Sequence, residues 1–291
     1  MNEPGITRSA AERETHPAAD GDEGGGAKWR SVAILFLSQV LAMSLWFVSA
    51  AVLVDLTREI NLVPWRQAAL SSAVQAGFVA GALAFAIFGW SDRYDPRRVF
   101  AIAAVAGGFV NALLLVVPAD SNAAIVVRFA TGALLAGIYP VAMKMVVGWG
   151  LRDRGFLVGT LVGALTLGSA SSHLFAWFGG SDWRATVIVA SLASVVAGLL
   201  CLASRLGPYH GTASRFDPGA ILLAWTNRRV RLAFAGYLGH MWELDVMWSW
   251  VGVAAAVSYR ASLPGEDAEA LAKLTAFVAI AAGGLASIAA G

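Results

Sequence analysis

The run Gly236-Tyr237-Leu238-Gly239-His240-Met241-Trp242-Glu243-Leu244-Asp245-Val246-Met247-Trp248-Ser249-Trp250 is the part of this chain richest in ionisable and aromatic side chains within an apolar segment. In a helix His240 and Glu243 lie on one face, with Met247 a turn beyond. An imidazole titrates near neutrality and can exchange a proton with a carboxyl beside it. Proton carriage by His240 and Glu243 is one reading, and a structural hydrogen bond between them is the other. Asp245 stands about 200° from Glu243 around the helix axis, so the two acids do not share a cavity.

Other polar groups sit alone in apolar stretches. Gln39, Trp46, Gln75, Arg128, Tyr139, His173 and Trp242 are candidates to line a solute cavity, with Asn111 a further buried polar position. Gln39 and Trp46 share one face of a continuous helix. Taken singly, Gln39, Trp46, Gln75, Asn111 and His173 more commonly serve as hydrogen bonds between helices than as ligand contacts. Tryptophan in a lining suits an organic or amphipathic molecule. A charge in hydrocarbon costs about 2.5–3.5 kcal/mol on insertion scales, so Arg128 either faces a bundle interior or snorkels to the nearby segment end. Tyr139-Pro140 should bend that segment, because Pro140 has no N–H to donate. Lys144 lies about 24 Å from Arg128 along a helix and reads as a snorkelling residue near the far end. Asp55, at the end of the first apolar run, reads as interfacial.

Long apolar elements must position these groups. The chain is 58% hydrophobic and 14% charged, with a mean hydropathy of +0.66, which is the composition of a membrane protein. The net charge of +2 resides in short loops and points to no nucleic-acid partner. The single Cys201 falls in an apolar run as a small hydrophobe, so neither a disulfide framework nor a cysteine metal site is expected. Residues 1–29 form a polar tail with a Gly24-Gly25-Gly26 run, expected to be disordered and without a signal-peptide pattern.

Eight helix-length apolar segments follow, near 30–54, 67–90, 98–118, 122–149, 156–179, 183–204, 230–258 and 271–291. The expected organisation is a six-helix bundle over 30–204, a linker over 205–229 with Gly and Pro breakers, and the start of a second bundle over 230–291. Loops after the second, fourth and sixth segments carry Arg93, Arg97, Arg98, Arg152, Arg154, Arg205, Arg215, Arg228, Arg229 and Arg231. Those after the first, third, fifth and seventh carry Arg58, Arg66, Arg184, Arg260 and Lys273. The basic loops and the N-terminus are therefore expected on the cytoplasmic side. Gly77 with Gly81, and Gly159 with Gly163, are G-x-x-x-G pairs that mark close helix contacts.

The second and third segments are joined by Gly89-Trp90-Ser91-Asp92-Arg93-Tyr94-Asp95-Pro96-Arg97-Arg98. This turn resembles the loop between the second and third helices of the major facilitator superfamily, roughly G-x-x-x-D-R-x-G-R-R. Asp92, Arg93, Arg97 and Arg98 match. Gly89 is one residue too close to Asp92, and Asp95-Pro96 stands where a glycine is expected. Arg128-Phe129-Ala130-Thr131-Gly132 resembles the superfamily's R-x-x-x-G element on the fourth helix. The resemblance implies an all-α polytopic membrane protein with a six-helix N-terminal bundle and the first two helices of a second.

It further implies secondary active transport of a small, organic solute by alternating access, proton-coupled, with no cofactor and no enzymatic activity. Partners are then the lipid bilayer, a small-molecule solute and protons, in a protein that is monomeric when full length and sits in a bacterial inner membrane. Asp92, Arg93, Arg97, Arg98, Arg152 and Arg154 would form a cytoplasmic latch, with Asp92 pairing to arginines across helix ends at about 0–1 kcal/mol per exposed pair. Gly239-His240-Met241-Trp242-Glu243 and Leu45-Trp46-Phe47 resemble a bacterial branch grouped with nitrate/nitrite- or cyanate-type carriers. The second segment lacks an interior arginine and the fifth lacks the Gly-rich signature, which disfavours nitrate; the fifth also lacks the Gly-Pro of drug/proton antiporters. A nitrate-like anion carrier and a membrane-embedded sensor or enzyme are the alternatives. Neither H-E-x-x-H nor G-x-S-x-G occurs, and the four histidines are scattered. Shifting the sequence by 202 positions lays Gly81–Gly89 over Gly283–Gly291. Repeated halves of that kind lead to the expectation of a truncated chain lacking about four helices.

Overall fold

The computed structural model describes residues 23–211, 219, 225–263 and 267–291, and all that is said of the structure concerns those residues. The first 22 residues of the expected tail and residues 212–218 and 220–224 of the expected linker lie outside them. The elements are α1 (Glu23–Met43), α2 (Val48–Ile60), α3 (Pro64–Phe88), α4 (Trp90–Arg93), α5 (Pro96–Ala112), α6 (Asn122–Leu135), α7 (Tyr139–Val147), α8 (Arg154–Phe178), α9 (Trp183–Cys201), α10 (Arg228–Ser262) and α11 (Asp267–Ala290), with a 3-10 turn at Leu113–Leu115. No strand occurs among the described residues.

Local chemistry sets most boundaries. Pro64 and Pro96 open α3 and α5, where a missing N–H costs nothing. Asp95, Ser121, Asp182 and Asn227 accept hydrogen bonds from the first backbone amides of α5, α6, α9 and α10. Gly89, at φ 61°, closes α3 in the left-handed region with its N–H on the Phe85 carbonyl. Helix α1 starts at Glu23, so residues 23–29, read as tail, are helical. Trp29 packs edge-on against Phe156, and Lys28 pairs with Asp153, which anchors this extra turn on α8.

Two expected segments are broken helices. Ser44–Phe47 forms turns between α1 and α2, so Gln39 and Trp46 do not share a face of one continuous helix as expected. The fourth segment breaks at Ala136–Ile138, with Pro140 in the first turn of α7, as the missing N–H requires. Seven stretches are long and apolar enough to cross a membrane, α1 with α2 counting as one and α6 with α7 as another. The seventh expected segment, α10, is long enough but carries Arg228, Arg229, Arg231, Glu243, Asp245 and Arg260.

Close packing comes from glycine. A Cβ on Gly77 would collide with the Phe129 carbonyl, one on Gly81 with that of Ala133, and one on Gly132 with that of Val74, so α3 and α6 touch backbone to backbone. Gly159 and Gly163 of α8 meet Ser287, Ile288 and Gly284 of α11 in the same way. In lipid, where apolar surface gains little from leaving its solvent, such contact is what holds helices together. The main core is centred on Leu35, Met43, Leu45, Phe100, Leu135 and Leu161. A second cluster, Phe47, Ala50, Ala170, Trp248, Ile280 and Ala281, joins α2 and α8 to α10 and α11.

Candidate functional site

The breaks in the first and fourth segments bring polar groups into the middle of the bundle. Arg128, on α6, is fully buried. Its Nη1 donates to Asn111 Oδ1 at 2.8 Å, and its Nη2 donates to the carbonyls of Leu45 and Trp46 at 3.0 and 2.9 Å. Those carbonyls belong to the turn between α1 and α2, where helical partners are missing, so the guanidinium replaces them. Asn111 in turn donates to Ser191 Oγ at 2.9 Å, tying α5, α6 and α9 into one network. Arg128 therefore faces the interior and does not snorkel.

Several polar atoms among the described residues are buried without a hydrogen-bond partner: both ends of the Gln39 amide, Trp46 Nε1, Gln75 Oε1, Ser169 Oγ and Arg128 Nε. Buried polar groups are normally paired, because an unmet one costs about 1–3 kcal/mol. The Trp46 ring lies 4.7 Å from that of Phe78. Phe47 meets Trp248 edge-on at 5.6 Å, bringing α10 to the same level. Tyr139 is half-buried at the start of α7. Gln39, Gln75 and Arg128 thus lie on α1, α3 and α6, and Trp46 in the turn after α1, whereas His240, Trp242 and Glu243 lie on an exposed stretch of α10. Asp245 is half-buried and on a different side.

At the basic end, the expected arginine latch has a lysine among its partners. Asp92 pairs with Lys144 of α7, whose Nζ also donates to the Ser91 carbonyl. Lys144 is thus a ligand of the α4 turn rather than a free snorkelling charge. Arg97 holds Asp95 through Nε and Nη2, the latter at 2.6 Å, and reaches the Ser204 carbonyl. Those bonds from Arg97 hold the Asp95 carboxyl below its usual range. The Lys28 ammonium, 2.5 Å away, does the same for Asp153. Arg154 donates from Nε to the Gly150 carbonyl, and Arg93, Arg98 and Arg152 are exposed. The segment after α9 lies across this end, with Tyr209 donating to the Gly148 carbonyl. Burial first, and Lys144 second, push the His210 imidazole down.

The opposite end holds a cluster that sequence reasoning missed. Asp55, read as interfacial, is 5% exposed, and its Oδ2 accepts from Lys273 Nζ at 2.6 Å. Lys273, read as a loop charge, is 8% exposed inside α11 and also donates to the Gly180 carbonyl. Glu269 pairs with both Arg58 of α2 and Arg260 of α10, and Tyr259 shares a hydrogen bond with Thr275 at 3.0 Å. His173 of α8, nearly fully buried, borders the same small cleft, walled by Ala50, Ala51, Gly252 and Ala256. Charges near segment ends are inexpensive, so nothing in the sequence marked Asp55 and Lys273 as partners.

The Major Facilitator Superfamily matches residues 35–291, most of the described chain. No curated protein matches it at a significant level. With that match, and with apolar helices enough for repeated crossing of a bilayer, the chain is a multi-pass member of the Major Facilitator Superfamily, which points to a secondary transporter of a small solute rather than an enzyme.

Proposed function

We propose that this protein carries a small organic solute across a bacterial inner membrane by proton-coupled alternating access. The N-terminal bundle, residues 30–204, and the helices of 230–291 belong to the two rocking bodies, joined by the linker 205–229. The Arg-rich end and the N-terminus face the cytoplasm, and the full-length protein works as a monomer. Gln39, Trp46, Gln75, Arg128, Tyr139, His173 and Trp242 contribute to solute contact, and His240 with Glu243 to proton exchange.

The observation that carries this reading is the set of buried, partnerless polar atoms on Gln39, Trp46 and Gln75, with the Trp46 ring packed on Phe78. Amide groups that can hydrogen-bond and an indole that can give ring contact suit an organic molecule with a polar group. A nitrate-like anion is less well served. Both terminal nitrogens of Arg128 are engaged by Asn111 and two carbonyls, which leaves no fork to clamp an oxyanion.

The test is solute-triggered proton movement in proteoliposomes holding the purified protein and a pH-sensitive dye. A panel of small organic acids, amines and neutral polar compounds is added on one side, with nitrate alongside. One organic class should move protons, and Gln39→Ala or Trp46→Ala should weaken that response several-fold. Uptake with no pH change would remove proton coupling. A response to nitrate alone would replace the organic reading with the anion one.

A further inference from the structure

Asp55 and Lys273 form the most buried ion pair among the described residues, and they join segments 218 residues apart. Asp55 sits among buried Val52, Leu53 and Leu56 on α2. Its Oδ2 is tied to Lys273, while its Oδ1 is buried with no hydrogen-bond partner. Lys273 is held on its other side by the Gly180 carbonyl, in the turn between α8 and α9. One ammonium therefore pins α11 to α2 and to that turn.

The charged and titratable groups around Asp55 come from every neighbouring element. Arg58 follows it on α2, Arg260 lies on α10, and Glu269 of α11 bridges those two arginines. His173 of α8 lines the same cleft as Lys273, and its Nε2 is buried without a partner. On α9, Arg184 is engaged with Glu59 and does not reach the pair.

We propose that Asp55 is a proton-binding site, and that its tie to Lys273 is a clasp which a proton opens. The inference rests on the proton-coupled carrier reading and locates the coupling group in a place other than His240 and Glu243. A proton from hydronium, which leaves as water, adds to the bare Oδ1, forming one O–H bond and leaving the carboxyl neutral. Lys273 then keeps its charge with only neutral acceptors, the Gly180 carbonyl and Oδ2 of the neutral carboxyl. A buried ammonium without a counter-charge is costly, which favours the arrangement in which α11 swings away and the ammonium meets water. Loss of the proton restores the carboxylate and closes the clasp. The neighbouring triad of Arg58, Glu269 and Arg260 is balanced differently, with two cations on one acid. It can hold the elements in register while the Asp55 bond breaks.

The test is a distance measurement on the full chain in lipid. Spin labels are placed at Ile60→Cys and Leu271→Cys, both partly exposed at this end, in a Cys201→Ser background. The expected result is a short distance at about pH 8 and a longer one at about pH 5, a window wide enough for a buried carboxyl to titrate. Asp55→Asn should give the longer distance at both, and the swap of Asp55→Lys with Lys273→Asp should recover the short one at high pH. A distance unchanged with pH in the unaltered pair, which needs no variant at Asp55, overturns the proposal. So does a pH response that survives in Asp55→Asn. The two readings fail separately. A pH-dependent distance in a protein that moves no solute upholds the clasp and removes the carrier. Proton-driven uptake that persists in Asp55→Asn keeps the carrier and overturns the clasp.

Discussion

Arg128 is a cation whose work is structural before it is anything else, because its guanidinium stands in for backbone amides where the first segment breaks. Arg128→Ala strands the Leu45 and Trp46 carbonyls and Asn111 Oδ1 at about 1–3 kcal/mol per unmet group. Its expected outcome is a markedly lower melting temperature of the purified protein. Arg128→Lys should fall between, since one ammonium cannot span both sides of the fork. An unchanged melting temperature in Arg128→Ala would show that the network adds nothing. Asp95 gives a second prediction with a definite sign. Its carboxyl is held below the ordinary value of 3.8 by Arg97. The stability it contributes is therefore present above that value and lost as pH falls through the lower folded value. Asp95→Asn keeps the cap and loses the charge pair, so it should cost about 0–1 kcal/mol near neutral pH and less in acid. Denaturation followed at both pH values checks it. Of these groups, the sequence makes Arg128 conspicuous, as a charge in an apolar run, but not its acceptors. Those exist only because Ser44–Phe47 departs from helix, and that stretch has neither Pro nor Gly to announce it.

Helices in this protein meet where glycine removes the side chain. Gly77→Ala and Gly132→Ala place a Cβ against the Phe129 and Val74 carbonyls, so both should sharply reduce the yield of folded protein. Gly236→Ala and Gly239→Ala meet nothing within 4 Å. They should be tolerated, and can gain up to about 1 kcal/mol of helix propensity. Comparing the four variants by size-exclusion profile separates packing from propensity, and equal behaviour would refute the close-contact account. The G-x-x-x-G pairs were visible in the sequence, as was the interruption at Pro140. Which helix each pair meets was not, because spacing reports a smooth face and not its neighbour. The start of α1 was read several residues late for a similar reason. Trp29 and Lys28 look like tail until Phe156 and Asp153 are placed beside them.

The molecule as a whole has two ends that differ in how their charges are held. At the basic end the pairs Lys144–Asp92, Arg97–Asp95 and Lys28–Asp153 are each about a fifth to a third exposed, on turns that water reaches. The other end also has exposed pairs, Arg184–Glu59 and the two arginines on Glu269, but Asp55 and Lys273 are shut in beneath them. Salt acts on the first kind of pair and hardly on the second, since screening shortens from about 10 Å at 0.1 M to about 3 Å at 1 M only where ions can enter. A cysteine at Ser91, beside the Lys144 bond, should therefore react faster with a maleimide as salt rises. A cysteine at Ala50, in the wall of the cleft near Lys273, should not. Adding Lys144→Ala should abolish the salt effect at Ser91 by removing the tie that salt weakens. A salt response at Ala50 equal to that at Ser91 would mean that the two ends are held alike. If instead the difference is found, opening the basic end takes only weak, screened contacts. Under the clasp proposal, opening the other end also takes a change in charge at Asp55, which a proton supplies and ionic strength does not.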